Sequence, residues 1–263
     1  NISEKKLKNN MIPIITTSCK TGKNIDRLHN ILQILPVKHR QINTINIPPP
    51  VRGTIVLSYI ECVYQVKGVG IVITGSLGTN CTPISIGTDL FIGPYGTTQP
   101  RLLPVRVKGL HDNFRNSVRT ISPGQNFCAN IRFLDTPLNK SQIRKGFICT
   151  SNPALVSSLS MTFKAKIKIL NLKTTIGIGY TPVIHCRTIR QSARIINVYI
   201  DEEKENDNLK DEGLTAMEKI IRGDTESIVE FQYVSNPEYI EIGAPLFFKD
   251  GTTKGVGEVL GVL

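Results

Sequence analysis

The sequence has no two cysteines at CxxC spacing and no histidines at HxxxH-type spacing. It therefore offers no zinc pattern, and no metal ligand is assigned. Its six cysteines, at positions 19, 62, 81, 128, 149 and 186, fall mostly inside apolar runs. They read as buried, reduced thiols of a cytoplasmic protein. No apolar run approaches the roughly 20 residues of a membrane helix. The start carries no secretory apolar stretch. The chain opens on Asn1 in mid-pattern and reads as a fragment of a longer protein.

What is present is basic and β-rich. The 263 residues carry a net charge of +11, and 40% are hydrophobic, enough for a sizeable core and two or three domains. The charge is uneven. Residues 201–226 hold ten acidic and four basic side chains, a net of −6, so the remainder carries +17. A basic body of this kind points to nucleic acid or another polyanion as partner. The acidic run DEEKENDNLKDE (201–212) reads as a solvated loop, with a docking site for a basic protein partner as the alternative.

Residues 12–17, IPIITT, read as a short buried strand, followed by the loop SCKTGKN. Ile25, Leu28, Ile31, Leu32 and Leu35 then share one helical face, with Asn24 as N-cap. This strand–loop–helix looks like the end of an α/β domain, residues 1–40. A proline-rich linker covers 41–52. Beyond it, short Val-, Ile- and Thr-rich runs alternate with turn residues at a spacing near ten, as in TIVLSYIECV (54–63), DLFIG, PVRVKGL and NFCANIRF. That is a mainly β class, two consecutive β-barrels, with a break at Asn152-Pro153 and domains over 53–153 and 154–263. MTFKAKIKIL, TPVIHCRT, ARIINVYI, SIVEFQYV and GVGEVLGVL supply the second barrel, and LTAMEKII suggests a short helix.

GVGIVITG (68–75) begins like a phosphate-cradling loop. A dinucleotide fingerprint needs G-x-G-x-x-G opening a helix, and Gly75 falls too late for it. Ile71 to Thr74 are strand formers, so the stretch reads as a hairpin at Gly68 and Gly70 followed by a strand ended by Gly75.

IECVYQVKGVGIVITGSL (60–77) resembles the start of the second domain of translational GTPases such as elongation factor Tu. IGTDLFIGP, PVRVKGLH, ISPGQNFCANI and IRKGFIC resemble that family's later motifs in the same order. YTPVIHCRTIRQSARI (180–195), GDTESIVEFQYVSNPEYI and LFFKDGTTKGVGEV are similar to the family of GTP-binding proteins 1 and 2. The resemblance runs along the whole chain. TTSCKTGKN is similar to the last guanine-specificity motif of such GTPases, with Ser18, Cys19 and Lys20 at its core.

The resemblance implies a GTP hydrolase as parent protein, using GTP and Mg2+. These 263 residues contain no GxxxxGK[ST], DxxG or NKxD motif, so no catalytic residue is assigned and the fragment alone is expected to be inactive. The barrels are implied to bind tRNA or other RNA and the ribosome, with no DNA or membrane partner. Carried over by motif, a pocket for the aminoacylated 3′ end of tRNA involves Glu61, Tyr64, Val66, Val72, His111 and Asn126. Arg187, Arg190, Gln191, Arg194 and Lys254 are candidates for phosphate contacts in the second barrel. Cys62 stands where elongation factors carry an acid, and His111 where they often carry a glutamate. The alternative function is a binding module or adaptor for RNA decay or the ribosome, without aminoacyl-tRNA delivery.

Overall fold

The computed structural model describes residues 14–34, 55–171, 176–199, 220–221 and 226–263. The chain forms two compact units, residues 1–43 and 44–263. The linker (41–52) and the acidic run (201–212) lie outside the described residues.

In the first unit, residues 14–18 carry no strand, and Ile14 is 91% exposed. Over 14–17 the expected buried strand is therefore not formed, because no described neighbour accepts its ladder hydrogen bonds, and residues 12–13 lie outside the described set. Helix α1 (Ile25–Ile34) follows the loop as anticipated. Asn24 does not cap it through its side chain. Its φ is 59°, and its amide donates to the Thr16 carbonyl at 2.9 Å, tying the loop back onto the preceding segment. Of the predicted apolar face, Ile31 is buried while Leu32 is 59% exposed; Leu35 lies outside the described residues.

The first barrel uses β1 (Leu57–Val66), β2 (Gly70–Leu77), β3 (Ile84–Ser85), β4 (Asp89–Tyr95), β5 (Arg101–His111), β6 (Ser117–Val118), β7 (Thr120–Ile121), β8 (Asn126–Phe133) and β9 (Ile148–Thr150). The order β4-β9-β1-β2-β8-β5 closes through the β4–β5 pairing, β6 extends β5, and β3 pairs with β7. All these ladders are antiparallel. Closure removes most free edges. Period-two alternation turns Leu103, Val105 and Val107 inward on β5, and Ile71 and Ile73 inward on β2. Each such buried side chain contributes about 1.5–3 kcal/mol relative to exposure.

GVGIVITG forms the expected hairpin. Gly68 and Gly70 have φ of 79° and 109°, conformations that suit glycine. The strand does not end at Gly75 but continues to Leu77. Gly75 is internal because a Cβ there would lie 2.5 Å from Ser58 Oγ and 2.7 Å from the Tyr59 carbonyl oxygen. It marks a close strand approach rather than a stop.

The second barrel follows a 3-10 turn, Pro153–Ser158, in which Asn152 accepts from the Ala154 N–H at 3.0 Å. Its strands are β10 (Leu159–Ser160), β11 (Thr162–Asn171), β12 (Ile176–Gly177), β13 (Val183–Cys186), β14 (Ile189–Tyr199), β15 (Ile220–Ile221), β16 (Glu226–Tyr233), β17 (Glu238–Tyr239), β18 (Pro245–Asp250) and β19 (Thr253–Val262). The closed order is β11-β16-β14-β13-β18-β19. Ile220 and Ile221, expected at the end of a helix, instead pair as β15 with β12. The other residues of LTAMEKII lie outside the described set. Phe163, Phe231, Tyr233 and Phe248 fill the second core with almost no exposure.

Three cysteines, Cys81, Cys149 and Cys186, are buried thiols, but Cys19 and Cys62 are exposed, contrary to the general expectation. Cys62 escapes the core because a bulge between Ile60 and Cys62 shifts the alternation of β1. No helix among the described residues is long and apolar enough to cross a membrane.

Candidate nucleic-acid interface

The bulge decides what the first barrel shows to solvent. Ile60 opposes Gly75 and Cys62 opposes Thr74, leaving Glu61 as the extra residue. Beyond it, two cross-strand rows run over the outer face of β1, β2, β8 and β5. One is Cys62–Thr74–Cys128–His111 and the other is Tyr64–Val72–Asn130–Gly109. At the end of the face, the Ser76 hydroxyl lies 2.9 Å from Glu61 Oε1 and 2.6 Å from Asn126 Oδ1. One hydroxyl proton cannot serve both, so the consistent assignment has Ser76 donating to Glu61 and the Asn126 amide turned to donate to Ser76.

Glu61, Tyr64, Val72, His111 and Asn126 thus meet on one outward surface. Val66 lies at its margin, beside the β1–β2 turn, and is 39% exposed. Tyr64 is 47% exposed and directly opposite the buried Val72, an aromatic surface with an apolar footing. The Tyr64 pKa is raised, first by the hydrogen bond of its hydroxyl with the neighbouring Cys62 thiol. Sequence reasoning missed Thr74, Ser76, Cys128 and Asn130 on this face. Their alternation on β2 and β8 was the available signal.

On the second barrel the outward rows are Arg190–His185–Phe247–Val256 and Ser192–Val183–Lys249–Lys254. Arg190, Lys249 and Lys254 are exposed. The His185 and Phe247 rings stand 5.9 Å apart. Burial, and then the charge of Arg190, lower the His185 pKa, so this ring is neutral at physiological pH.

Arg187 and Gln191 are not on that surface; both are committed to the joint between the barrels. Arg187 occupies the two-residue β13–β14 turn with φ of 53° and reaches Glu241 at 3.1 Å. Glu241 also accepts from the Tyr59 hydroxyl of the first barrel at 2.8 Å. The Gln191 amide donates to the Asn236 carbonyl at 2.9 Å and to Glu238 at 2.7 Å. Glu238 meets Arg144 of the first barrel, which also donates to the Pro237 carbonyl at 3.0 Å.

Glu238 is 1% exposed, and its Oε2 has no hydrogen-bond partner among the described residues. A Cβ on Gly146 would lie 2.8 Å from that oxygen, so glycine is needed there. Burial pushes the Glu238 pKa up to about 7, against the opposing pull of Arg144 and Gln191. The folded state therefore holds this proton more tightly than the unfolded chain. Its stabilisation is complete below the unfolded value of 4.5 and is lost as pH rises through about 7. Chemical denaturation at pH 5 and pH 8 is expected to show about 2–3 kcal/mol of this loss, and Glu238→Gln is expected to flatten it. An unchanged pH slope in that variant would contradict the assignment.

In the first unit, the Ser18 N–H donates to the Lys23 carbonyl at 3.2 Å, and its Oγ accepts from the Thr21 N–H at 3.3 Å. Ser18 thereby holds the turn, and Cys19 and Lys20 stand exposed on it.

The paired barrels have a counterpart among solved structures. The solved structure of Sup35 complexed with GDP superposes with a TM-score of 0.60 over 80% of this chain and 48% of that one, at 19% identity, a likeness of fold. The sequence relatives are GTP-binding proteins and elongation factors. GTP-binding protein 2 of Homo sapiens is 28% identical over 254 residues, covering 96% of this chain and 37% of the relative. GTP-binding protein 1 of Xenopus laevis is 30% identical over 253 residues, covering 96% and 33%. Elongation factor 1-alpha of Thermococcus onnurineus is 30% identical over 186 residues, covering 69% and 42%. The chain is thus homologous to GTP-binding proteins 1 and 2 and to elongation factor 1-alpha, and spans less than half the length of each of these relatives. No family model matches it.

Proposed function

We propose that these residues form the C-terminal part of an elongation-factor-like GTPase in the cytoplasm, whose two barrels bind tRNA at the ribosome under control of GTP. Domain limits of 1–40, 41–52, 53–153 and 154–263 go with this reading. The observation that carries it is the convergence of Glu61, Tyr64, Val72, His111 and Asn126 on one face of β1, β2, β8 and β5. On that face Tyr64 and Val72 are suited to hold a terminal base, and Glu61 to meet a free α-amino group. Arg190 and Lys254, joined by Lys249, serve as phosphate contacts.

The first unit fits the guanine end of a GTP site. Ser18 fixes the turn, and among the described residues no hydrogen bond uses the N–H groups of Cys19 and Lys20, leaving them for a guanine carbonyl. Phosphates and Mg2+ would be held by motifs these residues do not contain, so hydrolysis belongs to the longer protein. There the γ-phosphate supplies the difference in binding energy that a switch requires.

The second reading is an RNA-decay or ribosome-associated module without aminoacyl-tRNA delivery. Cys62 and His111 favour it, since both replace acidic positions of the resembling family. A filter-binding titration of tRNA at several salt concentrations tests RNA binding itself. Affinity is expected to fall steeply with salt, and Lys249→Ala with Lys254→Ala to reduce the slope by about 1–2, one phosphate contact each. A slope near zero would contradict RNA binding by the barrels.

A further inference from the structure

β1 has two edges, and one is only half used. Along one side β2 pairs with it from Ser58 to Val66. On the other side β9 pairs only from Leu57 to Tyr59, and the Ile60 N–H reaches the Phe147 carbonyl. From Glu61 to Val66, no backbone group on that side has a ladder partner among the described residues. The chain that would continue the sheet turns away instead, through the 3-10 turn Lys140–Gln142.

The gap between β1 and that turn is a groove. One part is a cavity of about 270 Å³ over Val63, Tyr64 and Ile143, flanked by Lys140 and Lys145. A shallower part of about 640 Å³ continues past Gln65 and Ser141. The floor is apolar and the rims are basic, with Lys67 exposed in the adjoining turn. Glu61 also borders the cavity, but its carboxylate is hydrogen-bonded to Ser76.

We propose that this groove takes an extended acidic peptide from a partner protein, which adds to the edge of β1 as a further strand. The unpaired amides and carbonyls supply the affinity for a backbone, the apolar floor takes alternate side chains, and the lysines meet the acidic ones. The free edge favours a peptide over RNA, because RNA would engage the lysines and leave the backbone groups unpaired. Six residues of strand span roughly 20 Å, so the occupant needs a core of about six residues. The proposal does not depend on the tRNA reading.

The test is selection of linear ten-residue peptides from a random display library on this chain, followed by solution affinity and amide hydrogen exchange. Enriched peptides are expected to alternate acidic and apolar residues and to slow exchange at 61–66. N-methylation of alternate backbone nitrogens in such a peptide is expected to weaken it at least tenfold while leaving its side chains intact. Lys140→Glu with Lys145→Glu, both exposed substitutions, are expected to weaken it comparably. No enrichment, enrichment without acidic residues, equal binding of the N-methylated peptide, or protection elsewhere would overturn the proposal. So would protection of the same amides by a single-stranded RNA decamer but by no peptide.

Discussion

Arg144→Ala is expected to destabilise the paired barrels by about 3–5 kcal/mol at pH 8, and much less at pH 5. Arg144 is the only cation bonded to Glu238 among the described residues, and Glu238 is 1% exposed. Removing it at pH 8 strands a buried carboxylate with only the Gln191 amide left to it. At pH 5 that carboxyl is already protonated, because burial holds its pKa near 7. There the variant loses hydrogen bonds but no ion pair. The pH-dependent part should vanish when Glu238→Gln is added, since a neutral amide needs no counter-ion. Urea titrations of the single and double variants at both pH values measure all of this. A cost independent of pH would mean that Arg144 acts through packing, for example its stacking 5.3 Å over Phe147.

Phe248→Ala is expected to cost about 3–5 kcal/mol. Its ring is fully buried, packed near Phe231 at 6.5 Å, and it fills the space above Gly255. A Cβ on Gly255 would lie 2.2 Å from that ring, so Gly255→Ala is also expected to destabilise, by about 1–3 kcal/mol through overpacking. The two effects share one volume. In the Phe248→Ala background, Gly255→Ala should cost nearly nothing, giving a coupling of about 1–3 kcal/mol in a double-mutant cycle. Additive costs would show that the pair does not act as one packing unit.

Much of this architecture is readable from alternation. The runs at 104–110, 126–133 and 161–170 are strands because Val, Ile and Phe recur every second residue with turn residues between. Departures arise where tertiary contact overrides the local pattern. Gly75 looks like a strand end, yet it is kept by the approach of Ser58 and Tyr59, which are distant in sequence. IPIITT has strand propensity and no described neighbour to pair with. Ile220 and Ile221 look helical beside Met217 and Glu218, but Ile176 and Gly177 take them into a ladder.

The candidate site divides in the same way. The motif register brought Glu61, Tyr64, Val72, His111 and Asn126 to one face, although the bulge that exposes Glu61 is invisible in composition. Arg187 and Gln191 are suggested only by their closeness to a signature stretch. Alternation already argued against Gln191, which shares its inward parity with Ile189, Ala193 and Ile195. Nothing local marked Arg144 and Glu238 as partners, since 94 residues separate them.

The role proposed for the outer face of the first barrel is to receive the charged end of a tRNA. Its most direct test is a filter-binding comparison of aminoacylated and deacylated tRNA on the longer protein with GTP present. Tighter binding of the aminoacylated form is expected, with a loss of about 1–3 kcal/mol in that affinity on Tyr64→Ala as a stacking surface disappears. Equal affinity for the two forms, unmoved by Tyr64→Ala, would contradict it.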